Sequence, residues 1–249
     1  MKIYGLIGYP LSHSFSATLF SDFFFREGIK DSRFELYPIE HISDIIPLIN
    51  NTKELKGLSV TIPHKTTVMP LLNSIDPVAK EIGAVNNIKI IRENNFSLRG
   101  FNTDVYGFEE SLKPLLKKDH SKALILGTGG SSKAVAYVLT KLGIEYYFVS
   151  RNANIEQQIL TYTELNKDIF SDHRLIINTT PAGMFPDITG FPDIPYELLS
   201  KDHLLFDLTY NPAETIFLKK GIEKGCTTSN GLKMLWLQAM KSWQIWNEE

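Results

Sequence analysis

Residues 123–139 read ALILGTGGSSKAVAYVL, and no other stretch narrows so far what this chain can fold into. The run from Ala123 to Leu126 is apolar in the manner of a buried strand, and Gly127-Thr128-Gly129-Gly130 then break it. Ala134, Val135, Val138 and Leu139 follow at helical spacing. A strand, a glycine turn and a helix in direct succession open a βαβ series, and there backbone N–H groups and a helix N-terminus can meet a pyrophosphate. Gly127, Gly129, Gly130 and Ser131 are therefore candidate dinucleotide contacts. In GxGxxG counting Ser132 stands in for the third glycine, and its small side chain still permits close helix packing. A purely structural glycine turn is the plain alternative, and the position at the head of a βαβ series argues against it.

That series continues. EYYFVS, RLIINTT, HLLFDLT and CTTSN read as further strands with helices between most of them, so the fold class is α/β with a parallel sheet. The first hundred residues read as another α/β lobe. Strands are expected near 2–8, 33–38 and 57–62, and helices near 16–27, 41–50 and 65–72. A hairpin is expected in AVNNIKIIRENNFSLRGF, turning at Glu93-Asn94-Asn95. The last segment carries Leu232, Leu235, Met240, Trp243 and Trp246 at helical spacing, a terminal helix with a wide apolar face. Periodicity does not say which lobe that helix covers.

Two lobes suit a chain of 249 residues with 43% hydrophobic content. The formal net charge of −2 supplies no basic field for nucleic acid or an anionic membrane, so a small molecule is the expected partner. No apolar run approaches membrane-spanning length, and MKIYGLIGYP is soon broken by Gly and Pro, which points to a cytoplasmic protein. Cys226 is the single cysteine, and the histidines at 13, 41, 64, 120, 173 and 203 lack ligand spacing, so no metal is expected.

Two positions bear on chemistry. In GLSVTIPHKTTV the strand pattern stops at Pro63 and leaves Lys65 just beyond a strand end, where α/β sheets bind ligands, although from these residues alone a solvated lysine on the first turn of a helix is the better reading. After the strand EYYFVS comes Ser150-Arg151-Asn152, where an NAD-type fold usually carries an acid for the ribose 2′-OH. A guanidinium there pairs with a 2′-phosphate, which favours NADP over NAD. Asn152 and Asn154 add hydrogen bonding without a second positive charge.

Seven short motifs in order along nearly the whole chain resemble the shikimate dehydrogenase family: PLSHSFS at 10–16, SVTIPHK at 59–65, GAVNN at 83–87, GFNTD at 100–104, GTGGSSKA at 127–134, DLTYNP at 207–212 and NGLKMLWLQA at 230–239. The resemblance implies a substrate-binding lobe of residues 1–103, completed by the C-terminal helix 230–249, and a Rossmann-type NADP-binding lobe of 104–229, with substrate between them. It implies reduction of 3-dehydroshikimate by NADPH, a step of aromatic amino-acid biosynthesis, by a monomer or homodimer. Ser14 and Ser16 match the serines that hold the substrate carboxylate, and hydroxyls at a helix start suit an anion. Thr61, Asn86 and Gln238 match positions that hydrogen-bond the ring hydroxyls, Tyr210 matches a tyrosine that borders the substrate, and Gly231 matches the backbone beside the nicotinamide. Lys65 and Asp104 match the catalytic pair. An ammonium held at the carbonyl oxygen can stabilise and protonate the alkoxide that hydride addition leaves, and a carboxylate can orient it.

The chain departs from the family pattern in places. A second basic residue is missing after Arg151, where Asn154 and Glu156 stand, Asn87 replaces a more usual threonine, and His64 is uncommon at its position. Tyr137 and Lys141 have the YxxxK spacing of short-chain dehydrogenases, yet they sit on the helix after the glycine turn, too near the expected phosphates to reach a carbonyl. Two other readings stay open: a quinate/shikimate dehydrogenase using NAD, and a dinucleotide-binding regulatory module without catalysis.

Overall fold

The computed structural model describes residues 1–11, 14–93, 95–152 and 159–248. Ser12, His13, Asn94, Asn154 and Glu156 lie outside the described residues. The chain forms two compact units, one of Met1–Thr103 with Gln238–Glu249 and one of Asp104–Leu237.

In the first unit, β1 (Lys2–Gly8), β2 (Ser32–Pro38) and β3 (Leu55–Val60) are parallel, and β5 (Asn87–Glu93) and β6 (Asn95–Phe101) add an antiparallel hairpin. A short β4 (Ser74–Ile75) closes the order β2-β1-β3-β5-β6-β4. Helix α1 (Ser16–Arg26) forms as expected, within a residue. The expected helix at 41–50 is instead a 3-10 turn, Ile42–Asp44, running into α2 (Ile45–Asn51). The one at 65–72 is α3 (His64–Thr67) followed by a 3-10 turn at Met69–Leu71, because Pro70 withholds the N–H that would continue the α ladder. The strand expected at 57–62 runs two residues earlier, and this leaves Thr61 and Ile62 past its end. Helix α4 (Pro77–Ile82) was not anticipated, although its signals are in the sequence: Asp76 caps it through Val78 N–H at 3.1 Å, Pro77 opens it, and Gly83 ends it at φ +70°.

The second unit contains α5 (Asp104–Leu112), β7 (Lys122–Leu126), α6 (Gly130–Lys141), β8 (Glu145–Ser150), β9 (Ile159–Thr161), α7 (Lys167–Asp172), β10 (Leu175–Asn178), β11 (Leu204–Asp207), α8 (Ile216–Glu223) and β12 (Thr227–Ser229). All its strands are parallel, in the order β12-β11-β10-β7-β8-β9. This order places a topological switch between β7 and β10, the point at which doubly wound sheets bind ligands outside their strand ends.

Helix α9 (Leu232–Asn247) begins in the second unit and from Gln238 belongs to the first. There Trp246 and Trp243 pack with Tyr4, Phe20, Phe24 and Phe34 on one face of the first sheet, while Ile7, Leu58, Val60 and Ile88 fill the other. Gly57 lets the Trp246 indole lie flat on β3, since a Cβ there would stand 2.2 Å from it, and the indole N–H donates to Ile88 O at 3.1 Å. Leu232, expected on the apolar face, is 53% exposed, because the buried stripe of α9 is carried by Met234, Ala239, Ile245 and Trp246.

Candidate active site

In the first unit the candidate residues gather at the carboxyl ends of the parallel strands. Thr61 N–H donates to Ile7 O at 2.9 Å, and the Thr61 methyl fills the space where a Cβ of Gly8 would stand. Ser14 and Ser16 stand at the start of α1, where Ser16 N–H donates to Ser14 Oγ at 3.3 Å and no side chain caps the helix at Phe15. Lys65 stands on the single turn of α3, whose place is set by Val85 N–H donating to Lys65 O at 2.7 Å. His64 beside it is buried and donates from Nε2 to Ile39 O at 2.7 Å, so the unusual residue anchors the turn that carries Lys65.

Asn86 is held on both sides: its carbonyl accepts from Val60 N–H at 2.7 Å and its N–H donates to Phe101 O at 3.0 Å. Its Oδ1 accepts from Thr103 N–H at 2.7 Å and from the Thr103 hydroxyl at 3.2 Å. The same hydroxyl lies 3.4 Å from Gln238 Oε1 and 3.0 Å from Ser242 Oγ. Thr103 thus joins Asn86 to Gln238, 135 residues away from it along the chain. Sequence reasoning missed Thr103, although it sits inside the GFNTD motif, because nothing local marks a buried threonine as a bridge. Asn87 is fully buried, and among the described residues its carboxamide has no hydrogen-bond partner.

In the second unit Asp104 is buried at the first position of α5. Gly127 follows β7 with φ +102°, which favours glycine, and a Cβ there would meet Thr179 Oγ1 and Thr180 Cγ2 at 2.9 Å. Gly129 is extended and open, with no atom within 4 Å of a Cβ position, and α6 starts after it without a side-chain cap. An open glycine before an uncapped helix of 12 residues, at the switch between β7 and β10, fits a pyrophosphate. Ser132 is buried and its hydroxyl donates to Gly129 O at 2.6 Å, so a small residue indeed suffices at that position. Gly130 and Ser131 form the first turn of α6.

Arg151 is exposed just past β8 and close to Tyr162, whose phenol burial holds above its ordinary value while the arginine charge pulls it down. Tyr210 follows β11 and is half-buried. Gly231 N–H donates to Thr209 O at 3.0 Å, and a Cβ there would stand 2.0 Å from Leu208 O, so only glycine fits this contact. Of the YxxxK pair, Lys141 at the end of α6 pairs with Glu109 of α5 at 2.8 Å. Among the described residues no grouping of His, Cys, Asp or Glu could hold a metal, and no helix is long and apolar enough to cross a membrane. A cavity of about 710 Å³ opens at the amino ends of β7 and β8, lined by Lys122, Glu145, Tyr147 and His173, away from the glycine turn.

A doubly wound parallel sheet with a glycine turn at its switch point, in a chain that carries a second α/β unit with clustered serines, threonine, asparagine and lysine at its strand ends, defines a dinucleotide-dependent class of protein. The family model for the shikimate dehydrogenase substrate binding domain matches residues 6–88. A shikimate dehydrogenase (NADP(+)) of Methanococcus aeolicus is 38% identical, over 98% of this chain and 91% of that protein. The crystal structure of shikimate dehydrogenase 1 from Peptoclostridium difficile superposes with a TM-score of 0.85 at 38% identity, covering 99% of this chain and 91% of the other. That of the Thermus thermophilus enzyme in complex with NADP(H) and shikimate gives 0.85 at 28% identity, over 99% and 93%. The chain belongs to the shikimate dehydrogenase family.

Proposed function

We propose that this chain catalyses the reversible reduction of 3-dehydroshikimate to shikimate with NADPH. The observation that carries the reading is the 38% identity, over 98% of the chain, to a shikimate dehydrogenase (NADP(+)). The residues of each unit support it. The first unit binds substrate and the second binds NADP. Ser14 and Ser16 take the substrate carboxylate at the open start of α1, and Thr61, Asn86 and Gln238 take ring hydroxyls, with Thr103 holding the last two in register. Tyr210 borders the substrate.

NADPH, when bound, supplies the hydride. The glycine turn with Ser131 receives its pyrophosphate, Arg151 its 2′-phosphate, and the Gly231 backbone lies beside its nicotinamide. Lys65 does the acid chemistry: its ammonium donates a hydrogen bond to the ketone oxygen, stabilises the growing negative charge, and passes a proton to it. In the oxidative direction the free amine takes that proton back. Asp104 is the second member of the catalytic pair. The enzyme works in the cytoplasm on a small molecule, without nucleic acid, as a monomer or homodimer that gel filtration distinguishes.

The test crosses shikimate and quinate with NADP and NAD, for wild type and Lys65→Met. Shikimate with NADP should be the best pair, and the variant should lose roughly 10²–10⁴ in turnover, the contribution of one general acid, with NADP binding kept. Preference for quinate with NAD would support the alternative enzyme. Turnover of the variant within tenfold of wild type would remove Lys65 from the chemistry.

A further inference from the structure

Asp207 ends β11 with its carboxylate fully buried, and among the described residues none of its hydrogen-bond donors carries a charge. Oδ1 accepts from Asn178 Nδ2 at 3.1 Å and from Thr209 N–H at 2.9 Å, and Oδ2 accepts from the Thr215 hydroxyl at 2.7 Å. Each partner leads to a different segment. Asn178 Oδ1 accepts from Thr180 N–H at 3.0 Å and from its hydroxyl at 2.6 Å, and Thr180 forms the floor under Gly127. Thr209 O accepts from Gly231 N–H at 3.0 Å, in the contact too close for any side chain. Thr215 caps α8. One carboxylate therefore ties together the floor of the glycine turn, the loop that holds Gly231, and the start of a helix.

We infer that Asp207 is a positioning residue for the dinucleotide, holding the phosphate end and the Gly231 end of the site at a fixed separation without touching the cofactor itself. This rests on the NADP reading of the second unit. A buried carboxylate is a costly way to hold neutral donors, since a charge in an apolar surround is disfavoured. Burial accordingly pushes its pKa up to about 6, against the pull of Thr215, Thr209 and Asn178. What the carboxylate offers in return is geometry, because a deprotonated Asp accepts at every lone pair and orients all its donors inward. Protonation removes one acceptor position and frees part of that network. Tyr196 also faces Asp207; burial holds its phenol above the ordinary value, and the Lys220 ammonium rests on its ring at 4.9 Å.

The experiment measures NADP⁺ affinity by calorimetric titration from pH 5 to 8 for wild type, Asp207→Asn and Thr215→Val, with thermal melts alongside. Wild type should bind more weakly as pH falls through about 6. The 2′-phosphate of NADP⁺ titrates in the same range in every protein, so the signal is the difference between proteins. Asp207→Asn, nearly isosteric, should bind roughly 5- to 20-fold more weakly at pH 7.5, the loss of about one charge-assisted hydrogen bond, and should lack the extra acid limb. Thr215→Val removes a donor that lowers the Asp207 pKa and should move that limb to higher pH. Asp207→Asn with wild-type affinity and pH profile, or a Thr215→Val limb that does not move, overturns the assignment. Failure of wild type to bind NADP⁺ at any pH would instead overturn the cofactor reading itself, and the inference with it.

Discussion

Replacing Gly57 with Ala tests how the first unit seats the helix that carries Gln238. Gly57 lies within β3 and needs no special backbone conformation, so on chain entropy alone the change should stabilise by about 0.4–1 kcal/mol. Packing predicts the opposite. The new Cβ would stand 2.2 Å from Trp246 Cδ1 and 2.3 Å from Nε1, against the ~3.5 Å of an ordinary carbon contact, so the indole must retreat by roughly 1 Å. That movement strains the Nε1–H···O bond to Ile88 and the stack on Tyr4, whose ring centroids lie 5.1 Å apart. A lost hydrogen bond costs about 1 kcal/mol, the buried indole N–H left without its acceptor adds to that, and the stack contributes about 0.5–1.5 kcal/mol. A net loss of about 2–4 kcal/mol is expected, seen in urea unfolding as a lower midpoint at unchanged slope. The Michaelis constant for shikimate should rise, since Gln238 and Ser242 share the displaced helix. In a Trp246→Leu background the same change should cost less than about 1 kcal/mol, because the clash is with the indole. An equal cost in both backgrounds would refute the argument.

Three further perturbations follow from the same geometry. Arg151→Ala should weaken NADP⁺ by about 10- to 100-fold, the worth of a charge-assisted pair, and NAD⁺ by less than twofold; equal losses in parallel titrations would deny the 2′-phosphate role. Asn87→Thr should raise the unfolding free energy by about 1–2 kcal/mol, because it deletes a buried carboxamide that has no hydrogen-bond partner among the described residues, and any loss of stability would contradict this. His120, His173 and His203 are buried just ahead of β7, β10 and β11, and burial holds each imidazole below its ordinary 6.5. The unfolded chain then binds protons that the fold refuses, so their stability contribution is complete above pH 6.5 and is lost as pH falls through the lower folded values. Asp207 has the opposite sign: raised from 3.8 to about 6, it contributes stability that is full below 3.8 and lost as pH rises through 6. With three histidines against one carboxylate, the melting temperature should fall from pH 7 to 5, and a flat profile would show that the imidazoles are not held neutral.

Where a feature depends on a few adjacent residues, the sequence alone was enough. The glycine turn was legible because φ +102° at Gly127 favours a residue without a Cβ, and the apolar runs of β1 and β7 and the helical periods of α1 and α6 are written within a single turn or strand. The family motifs were legible for the same reason, each being short and continuous. Tertiary structure decided what periodicity cannot express: that β10 lies against β7 and so opens a switch point, that the end of α9 belongs with Tyr4 and Phe34, and that Thr103 joins Asn86 to Gln238. Asp207 makes the distinction sharp. In sequence it is only a polar residue closing an apolar strand, as Asn178 is, yet 29 residues of separation vanish when β10 and β11 align in register. Hydrogen bonds between distant segments are fixed by strand order and register, and these follow from burying all the apolar faces at once, which no local stretch of chain encodes.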